Sequence, residues 1–563
     1  MKKALVTLLA LFCCHAVFAT GNDEKTKINI ILTEQCDAAN LLREAECFAT
    51  KQERRQYVVE RLQLQAKASQ ADLLSLLEEM ERNGLVEEVR PLWIVNSISC
   101  KANAVAVERL ALRNDILALY QCKESQWLFD EEGEPALRGD GREIAENLLM
   151  VNADKVWELG YTGLDVLIAI IDTGVSLTHA DLQGRFWDGG TEYPNHGYDF
   201  YSHDNDPSDE RGHGTHVAGT ICGTGASGTK TGVAPDSKIM ALKVFDSNEL
   251  TDETVWIEAM QFAVEHGADV LNMSLGQPMP DANVKLMARL ACDNTLAAGV
   301  VASVCAGNVR QMQSLIPIPY NIYSPGDCPP PHLHQDQLVN AGGTSCVICV
   351  GAIDFNGDVA GFSSVGPSVW TDVAQYNDYP YSQGSSTSIG LIRPDLCAPG
   401  VNIKSLDYSN NNGYTLKNGT SMATPCVAGT IALMLSKDPE LTPSQIDEIL
   451  ERTAVESRRG NHKDNDFGAG CIDALAAVEA VGYDAVVETD SEQALVYPNP
   501  STGTVTVQYD GMKRIEVFSM DGRGVKSVEV NGPQYQIDGL EKGVYLIRIS
   551  SETEVKNCNI AVY

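Results

Sequence analysis

The middle of the chain alternates apolar runs with amphipathic segments of helical spacing. A helical pattern at 251–265 is typical of the segments between the runs. Continuous apolar runs of this length suit strands of a parallel sheet that is buried on both faces. Residues 147–482 are therefore predicted to form an α/β domain, with helices on both faces of a mostly parallel sheet. The apolar runs are 166–171, 239–244, 270–272, 300–306 and 347–350.

The flanking regions show different patterns. Within residues 20–122, the segment 54–120 predicts a small β-α-β-α-β unit, with a helix that begins after Ser69. Its other elements are strands at 56–64, 92–99 and 116–120 and a helix at 104–112. Residues 123–146 are charged and lack periodicity, which predicts an exposed linker where proteolytic processing concentrates. Residues 485–563 contain short alternating runs separated by turn residues, which predict a small all-β sandwich.

Charge and length narrow the function. The 563 residues include 42 Lys and Arg against 76 Asp and Glu, for a net charge of −34. This balance argues against nucleic acid as a partner. Residues 1–19 have the basic start, apolar stretch and small final residue of a signal peptide. No other apolar run reaches 18 residues, so we expect no transmembrane segment in the mature chain. Export permits disulfides among the sixteen cysteines, but their pairing stays open.

Three motifs carry the candidate chemistry. They are VLIAIIDTG at 166–174 with Asp172, GHGTHVAG at 212–219 with His213, and NGTSMATP at 418–425 with Ser421. An Asp at a strand end, a His that begins a helix and a Ser that begins another are the components of a catalytic triad. The motifs and their order resemble those of the subtilisin-like (S8) serine peptidases. This resemblance implies that Ser421 is the nucleophile, His213 the base and Asp172 its orienting partner.

The resemblance also implies the residues around the triad. The block VVASVCAGN supplies Asn308 as an oxyanion donor. In LNMSLG, Ser274, Leu275 and Gly276 would pair with the substrate backbone. The opposite wall of the first specificity pocket would be Cys305, Ala306 and Gly307. The thiol of Cys305 is interpreted either as a small buried apolar group or as a redox-sensitive group near the site.

The triad itself needs no cofactor, but an oxygen-rich loop precedes His213. It contains Asp204, Asn205, Asp206 and Asp209. Hard oxygen ligands suit Ca²⁺, and similar loops bind calcium in some members of the resembled family. We therefore expect a structural Ca²⁺ site here, with a solvated acidic turn as the alternative.

The flanks add to the resemblance. Residues 20–122 are similar to the propeptides that chaperone and inhibit subtilisin-like enzymes. YPNPSTG and KGVYLIRI in 485–563 resemble the C-terminal sorting domains of type IX secretion, although the ending CNIAVY departs from their basic termini. A plain accessory β domain is the alternative. VWELGYTG at 156–163 and GTSMATPCVAG at 419–429 place the chain nearest the bacillopeptidase F-like branch.

The sequence thus predicts a secreted serine endopeptidase made as a preproenzyme, which cleaves proteins or peptides through an acyl-enzyme. Its expected partners are its own propeptide and the type IX machinery. The alternatives are a catalytically inactive subtilisin-fold binding protein and a surface adhesion protein.

Overall fold

The chain forms two compact units, Met1–Val481 and Gly482–Tyr563, which are described separately. The computed structural model describes residues 24–129, 131–135, 143–330, 332–333, 337, 343–373, 390–455, 462–482, 495–497, 504–509, 512–519, 523–530, 532–540, 542–551 and 555–562. The predicted signal peptide lies outside these residues.

The N-terminal part of the first unit is an antiparallel sheet covered by helices. Its strands pair in the order β2-β3-β1-β4. The element order through residue 122 is β-α-α-β-β-α-β, so the predicted β-α-β-α-β order is wrong. Strands β1–β4 are Thr26–Leu32, Val86–Leu92, Ser97–Ala102 and Ile116–Gln121, and helices α1–α3 are Ala38–Ala45, Lys51–Arg82 and Ala104–Leu110.

Helix α2 corrects two predictions at once. It spans the segment 56–64 predicted as a strand, and it begins long before Ser69. Val58, Leu62 and Ala66 are buried four residues apart, which is the spacing of one helix face. Thr50 caps the helix in a capping box with Glu53. The Ser69 hydroxyl instead donates to the Gln65 carbonyl within the helix, at 2.9 Å.

Residues 123–146 are predicted to be an exposed linker, and this prediction is wrong for the part of the segment that the structure describes. Three short strands, β5–β7, lie in it and pair with the α/β domain. Trp127 and Leu128 are buried, with 1% and 4% of their surface exposed. Because charged residues surround these apolar side chains in the sequence, the composition of the segment does not predict their burial. Strands β5–β7 are Ser125–Gln126, Glu131–Pro135 and Glu143–Ile144.

A seven-stranded sheet forms the centre of the first unit. Its order is β18-β17-β14-β13-β8-β11-β9, and each neighbouring pair is parallel. The five predicted strands lie in it, which confirms the predicted α/β fold. Strands β8–β20 are Leu167–Asp172, Gly197–Asp199, Thr229–Lys230, Lys238–Lys243, Leu250–Thr251, Val270–Met273, Val301–Cys305, His332–Leu333, Gly343–Thr344, Val347–Ile353, Leu396–Pro399, Ile403–Leu406 and Tyr414–Asn418.

Helices cover both faces of this sheet. Successive residues of a strand point to opposite faces, so Ile168 and Ile170 join one core while Ala169 and Ile171 join the other. The first core includes α6 and α9, and the second includes α7 and α8 together with the N-terminal sheet. Helices α4–α11 are Glu146–Met150, Ala153–Glu158, His213–Cys222, Glu253–Glu265, Ala282–Ala297, Thr420–Lys437, Pro443–Thr453 and Ala474–Ala480; Ala180–Leu182 and Arg310–Met312 form 3₁₀ turns.

The second unit is all β, as predicted. Its strands form two antiparallel sheets, β21-β22-β25 and β24-β23-β26-β27. Val505 and Val507 of one sheet share an apolar core with Ile515 and Ile547 of the other, which makes a sandwich. Strands β21–β27 are Leu495–Tyr497, Val505–Gln508, Arg514–Ser519, Gly524–Glu529, Gln534–Ile537, Gly543–Ser550 and Val555–Val562.

Across the described parts of both units, no helix combines the length and apolarity needed to cross a membrane.

Candidate active site

Asp172 and His213 meet at the carboxyl end of the central sheet. Asp172 is the last residue of β8, and His213 is the first residue of α6. The Nδ1 atom of His213 lies 2.6 Å from Oδ1 of Asp172. A carboxylate only accepts at this position, so Nδ1 carries a proton and Nε2 of the neutral ring is left as the basic atom. Both side chains are buried, with 0% and 4% exposed.

Glycine permits this close approach. The backbone of Gly212 has φ +89°, and a Cβ there would collide with the Tyr408 ring at 2.3 Å. A Cβ on Gly214 would lie 2.1 Å from the Gly174 carbonyl and 3.1 Å from the Asp172 side chain. The glycines on either side of His213 thus let the start of α6 pack directly against the strand end that bears Asp172.

Ser421 lies in the first turn of α9, at the carboxyl end of β13. Its Oγ donates to the Ser274 carbonyl at 3.2 Å, and the Ser274 hydroxyl donates to the Ser421 carbonyl at 2.9 Å. Pro425, four residues further along the helix, has no N–H to donate to that carbonyl. Ser274 therefore satisfies a helix carbonyl that proline leaves unpaired, and it ties the nucleophile candidate to the groove strand.

The side-chain orientation of Asn308 is fixed by Thr420. The backbone N–H and the hydroxyl of Thr420 approach Oδ1 of Asn308 at 2.9 and 3.0 Å. A backbone N–H can only donate, so the atom that it meets is the amide oxygen. The amide nitrogen then points the other way, and it donates to the Phe129 carbonyl at 3.3 Å. Asn308 is thus aimed at a peptide carbonyl, as an oxyanion donor must be.

The two predicted walls of the groove flank this point. On one side, Gly276 follows β13 and donates its N–H to the Trp127 carbonyl at 2.9 Å. On the other side, Cys305 ends β14 and is buried, and Ala306 and Gly307 follow it. Leu275 is fully buried in the core beneath the groove. A described segment of the chain's own N-terminal region thus lies where a substrate strand is expected.

Comparisons with known proteins identify the family of the chain. Residues 163–470, more than half of the chain, match the subtilase family. Subtilisin DY of Bacillus licheniformis is 33% identical over 330 residues, which cover 59% of this chain and 97% of that protein. Subtilisin E of Bacillus subtilis (strain 168) is 31% identical over 336 residues, which cover 60% and 71%. The chain belongs to the subtilase family.

As its motifs predicted, this subtilase is a subtilisin-like serine endopeptidase. It also resembles bacillopeptidase F of Bacillus subtilis (strain 168), at 28% identity over 529 residues. That similarity covers 87% of the subtilase but only 33% of the larger relative, so the chain spans about a third of that protein's length. Residues 495–562 match a secretion system C-terminal sorting domain. This match confirms the predicted sorting domain and marks the subtilase as a secreted or cell-surface protein.

Two side chains near the site, those of His216 and Cys426, are fully buried. Nε2 of His216, the second His of GHGTH, lies 2.9 Å from the Ile403 carbonyl. Burial lowers the pKa of His216 to about 3, so the ring stays neutral. Burial also raises the pKa of the Cys426 thiol to about 12, which keeps it protonated and unreactive. Among the described cysteines of the first unit, no disulfide is formed.

Asp209, one of the predicted calcium ligands, is held within the fold by several hydrogen bonds. Its carboxylate accepts hydrogen bonds from the N–H groups of Arg211, Gly212 and Thr215 and from the hydroxyls of Thr173 and Thr215. It thus shapes the turn that leads into His213. Among the described residues, the only cluster of three His, Cys, Asp or Glu ligands is Cys122, Asp252 and Glu253, so the carboxylates of 204, 206 and 209 do not converge. Calcium binding by Asp204, Asn205, Asp206 and Asp209 stays a prediction.

Sequence reasoning missed three features of the site. The first is Thr420, whose role in orienting Asn308 could have been suspected from its place between Gly419 and Ser421. The second is Tyr323, whose ring packs with Cys305 beneath the groove. The third is the strand pairing of 125–126 with Leu250–Thr251, for which the sequence offers no periodic signal.

Proposed function

We propose that the subtilase cleaves peptide bonds with Ser421 as nucleophile, His213 as general base and Asp172 as its orienting partner. A serine hydroxyl is a weak nucleophile until a base removes its proton. The 2.6 Å contact between Asp172 and His213 supports this assignment, because it fixes the tautomer whose Nε2 carries no proton and can act as the base. After attack, the imidazolium would be stabilised by the buried carboxylate and would return the proton to the leaving amine.

The observation that carries the proposal is the peptide carbonyl held by Asn308. A tetrahedral intermediate places negative charge on that oxygen, and a donor already aimed at it stabilises the charge. The Nδ2 atom of Asn308 lies 3.3 Å from the Phe129 carbonyl oxygen. The backbone N–H of Ser421 is proposed as the second donor. The product of attack would be an acyl-enzyme, which water then hydrolyses.

We further propose that the chain is made as a preproenzyme whose residues 20–122 inhibit it. The described N-terminal sheet contacts helix α7 through buried polar groups. Lys27 forms a 2.6 Å ion pair with Asp252, and the amide nitrogen of Asn29 donates to Glu253 at 2.8 Å. The Thr254 hydroxyl donates back to the Asn29 oxygen at 2.9 Å. Buried polar pairs of this kind favour one docking geometry, which suits a dedicated inhibitor.

The export route completes the proposal. The predicted signal peptide would take the precursor to the periplasm, and the sorting domain would pass it to type IX machinery. Protein substrates follow from the family.

Casein hydrolysis by the purified, full-length protein tests the proposal. Wild type should hydrolyse casein, and Ser421→Ala should abolish hydrolysis. Ser436→Ala is the matched control, because this serine of the same helix only donates to the Leu433 carbonyl one turn back. It should behave like wild type. Equal activity of Ser421→Ala and wild type, or no activity in either, would refute the proposal.

A further inference from the structure

Residues 125–129 lie along the groove between two edges of the enzyme, and the first two form strand β5. Ser125–Gln126 pairs antiparallel with Leu250–Thr251. On the other side, the Trp127 carbonyl accepts from the Gly276 N–H at 2.9 Å. Strand addition of this kind is how an extended peptide is bound by an open sheet edge. The segment therefore has the backbone contacts of a bound substrate.

The segment 125–129 ends at the reacting position. The Phe129 carbonyl is the oxygen that Asn308 holds. The Phe129 ring packs against a buried apolar cluster of Cys305, Val309 and Tyr323. Its centroid lies 5.3 Å from that of the Tyr323 ring, in an edge-to-face arrangement. Carbonyl and side chain thus meet the oxyanion donor and the first specificity pocket at the same residue.

We propose that the subtilase cleaves its own chain between Phe129 and Asp130, and that Tyr323 makes its first specificity pocket select aromatic side chains. This inference rests on the proposed function. The Ser421 oxygen bonds to the Phe129 carbonyl carbon, and His213 takes the hydroxyl proton. The bond from that carbon to the Asp130 nitrogen breaks, and the nitrogen receives the proton. Water then replaces Ser421, which leaves a prosegment ending in a Phe129 carboxylate and a mature chain that begins with the Asp130 amine.

The pocket chemistry explains why the cut falls at this residue. Tyr323 is 2% exposed, and a Cβ on Gly307 would lie 2.5 Å from its ring, so glycine is what allows the ring to lie there. An edge-on partner favours an aromatic side chain over an aliphatic one. A carboxylate or ammonium group would lose its hydration on entering this apolar cluster.

Anchoring explains why the prosegment would stay bound after the cut. The Trp127 side chain is 1% exposed, and the centroid of its ring lies 5.6 Å from that of Trp256 in helix α7. That contact and the strand pairing lie on the prosegment side of the bond, and cleavage changes neither. The freed Phe129 carboxylate would therefore continue to block the groove until the prosegment dissociates.

N-terminal sequencing of the protein purified from full-length expression tests the bond. The mature chain should begin at Asp130, and Ser421→Ala should yield no such end. An active enzyme whose mature end lies elsewhere, for example within 136–146, would overturn the inference and leave the proposed function intact. A protein that hydrolyses no casein would instead refute the proposed function.

Two variants test the pocket. Full-length Ser421→Ala, added as substrate to mature enzyme, should be cut after Phe129. The same chain with Phe129→Asp should be cut there at least roughly tenfold more slowly, since burying an unpaired charge is costly. Melting curves check that both chains fold. The peptide SQWLFDEEGE and its Phe-to-Asp analogue repeat the comparison without any folding requirement. Equal rates for both peptides would overturn the inference.

Tyr323→Ala tests the selectivity. Wild type should prefer peptides with Phe over Leu before the cut, by kcat/KM. Loss of the ring should reduce that ratio roughly two- to tenfold, which corresponds to the energy of one edge-to-face aromatic pair. Casein hydrolysis should stay measurable. An unchanged ratio would show that Tyr323 does not set the preference.

Discussion

The hydroxyl of Ser274 donates a 2.9 Å hydrogen bond to the carbonyl oxygen of Ser421. The bond is needed because Pro425 cannot supply the helical N–H. Ser274→Ala should leave a buried carbonyl unpaired, which destabilises the protein by about 1–3 kcal/mol and lowers kcat. Thermal melting and peptide hydrolysis measure both effects.

A second substitution sharpens this prediction. Pro425→Ala restores an N–H four residues after Ser421, so the double variant Ser274→Ala/Pro425→Ala should regain much of the lost stability. If the stability losses of the two single variants add up in the double variant, Ser274 does not compensate for the N–H that Pro425 lacks.

Thr420 should act on catalysis through Asn308. Thr420→Val removes the hydroxyl that contacts Oδ1 of Asn308 and keeps the backbone N–H that contacts the same oxygen, so the amide is held less firmly. We expect kcat to fall, by less than the roughly 10²–10³-fold loss known for removal of the oxyanion asparagine of subtilisin. Thr420→Ser keeps the hydroxyl and is the matched control. Equal kcat values for the Val and Ser variants would remove Thr420 from this role.

Prosegment binding should weaken as pH rises. Glu253 is buried against Asn29, and burial, aided by the neighbouring Asp252, raises its pKa to about 7. Once the prosegment leaves, we expect the carboxyl to return to the ordinary pKa of about 4.3. The protonated form therefore binds better. Affinity is highest below the free pKa, falls as pH rises towards 7, and is level above it.

The inhibition constant of the cut prosegment, measured between pH 4.5 and 8, tests this prediction. We expect it to rise roughly tenfold or more over that range, since each unit of pKa difference is a factor of ten. Glu253→Gln mimics the protonated group and should flatten the profile. Glu265→Gln, at the other end of helix α7, is the control and should keep it. The same slope in both variants would assign the pH dependence to other groups.

Calcium binding and the shaping of the turn are two roles of the 204–209 loop that can be tested separately. A ligand that binds only the folded protein stabilises it by about 2.7 kcal/mol at 100 times its Kd. A chelator should therefore lower the Tm of wild type, and it should have no effect on Asp204→Asn/Asp206→Asn. Asp209→Ala should lower the Tm with or without chelator, because five donors lose their acceptor. If a chelator leaves the wild-type melting curve unchanged, the loop binds no calcium.

The sorting domain should be dispensable for chemistry. The residues proposed for catalysis all lie in the first compact unit, and the domain is a separate unit with its own apolar core. Deleting 485–563 should leave kcat/KM of the processed enzyme within about twofold of wild type, because the first unit has its own core and holds all the residues proposed for catalysis. In the native cell the same deletion should stop release beyond the periplasm. Loss of activity in the purified deletion variant would contradict the independence of the two units.

The parts of the site that sequence predicted lie in long motifs with a fixed local geometry. Asp172, His213 and Ser421 each sit where a buried strand ends or a helix begins, and glycine marks each turn. Within the helix Lys51–Arg82, adjacent apolar residues such as Val58 and Val59 blur the helical period, so the pattern at 56–64 predicts a strand. The position of residues 125–129 in the groove could not be predicted, since the pairing of Ser125–Gln126 depends on an edge that is distant in sequence.

The assignment of Ser421 as the nucleophile is tested most directly by a fluorophosphonate, which bonds covalently to an activated serine. Peptide mapping of the processed enzyme should place the adduct on Ser421. Asp172→Asn, which disturbs the His213 tautomer, should slow labelling by several orders of magnitude, in line with the roughly 10⁴-fold loss of kcat for this change in a Ser-His-Asp enzyme. An adduct on another residue, or an unchanged labelling rate in Asp172→Asn, would contradict the account.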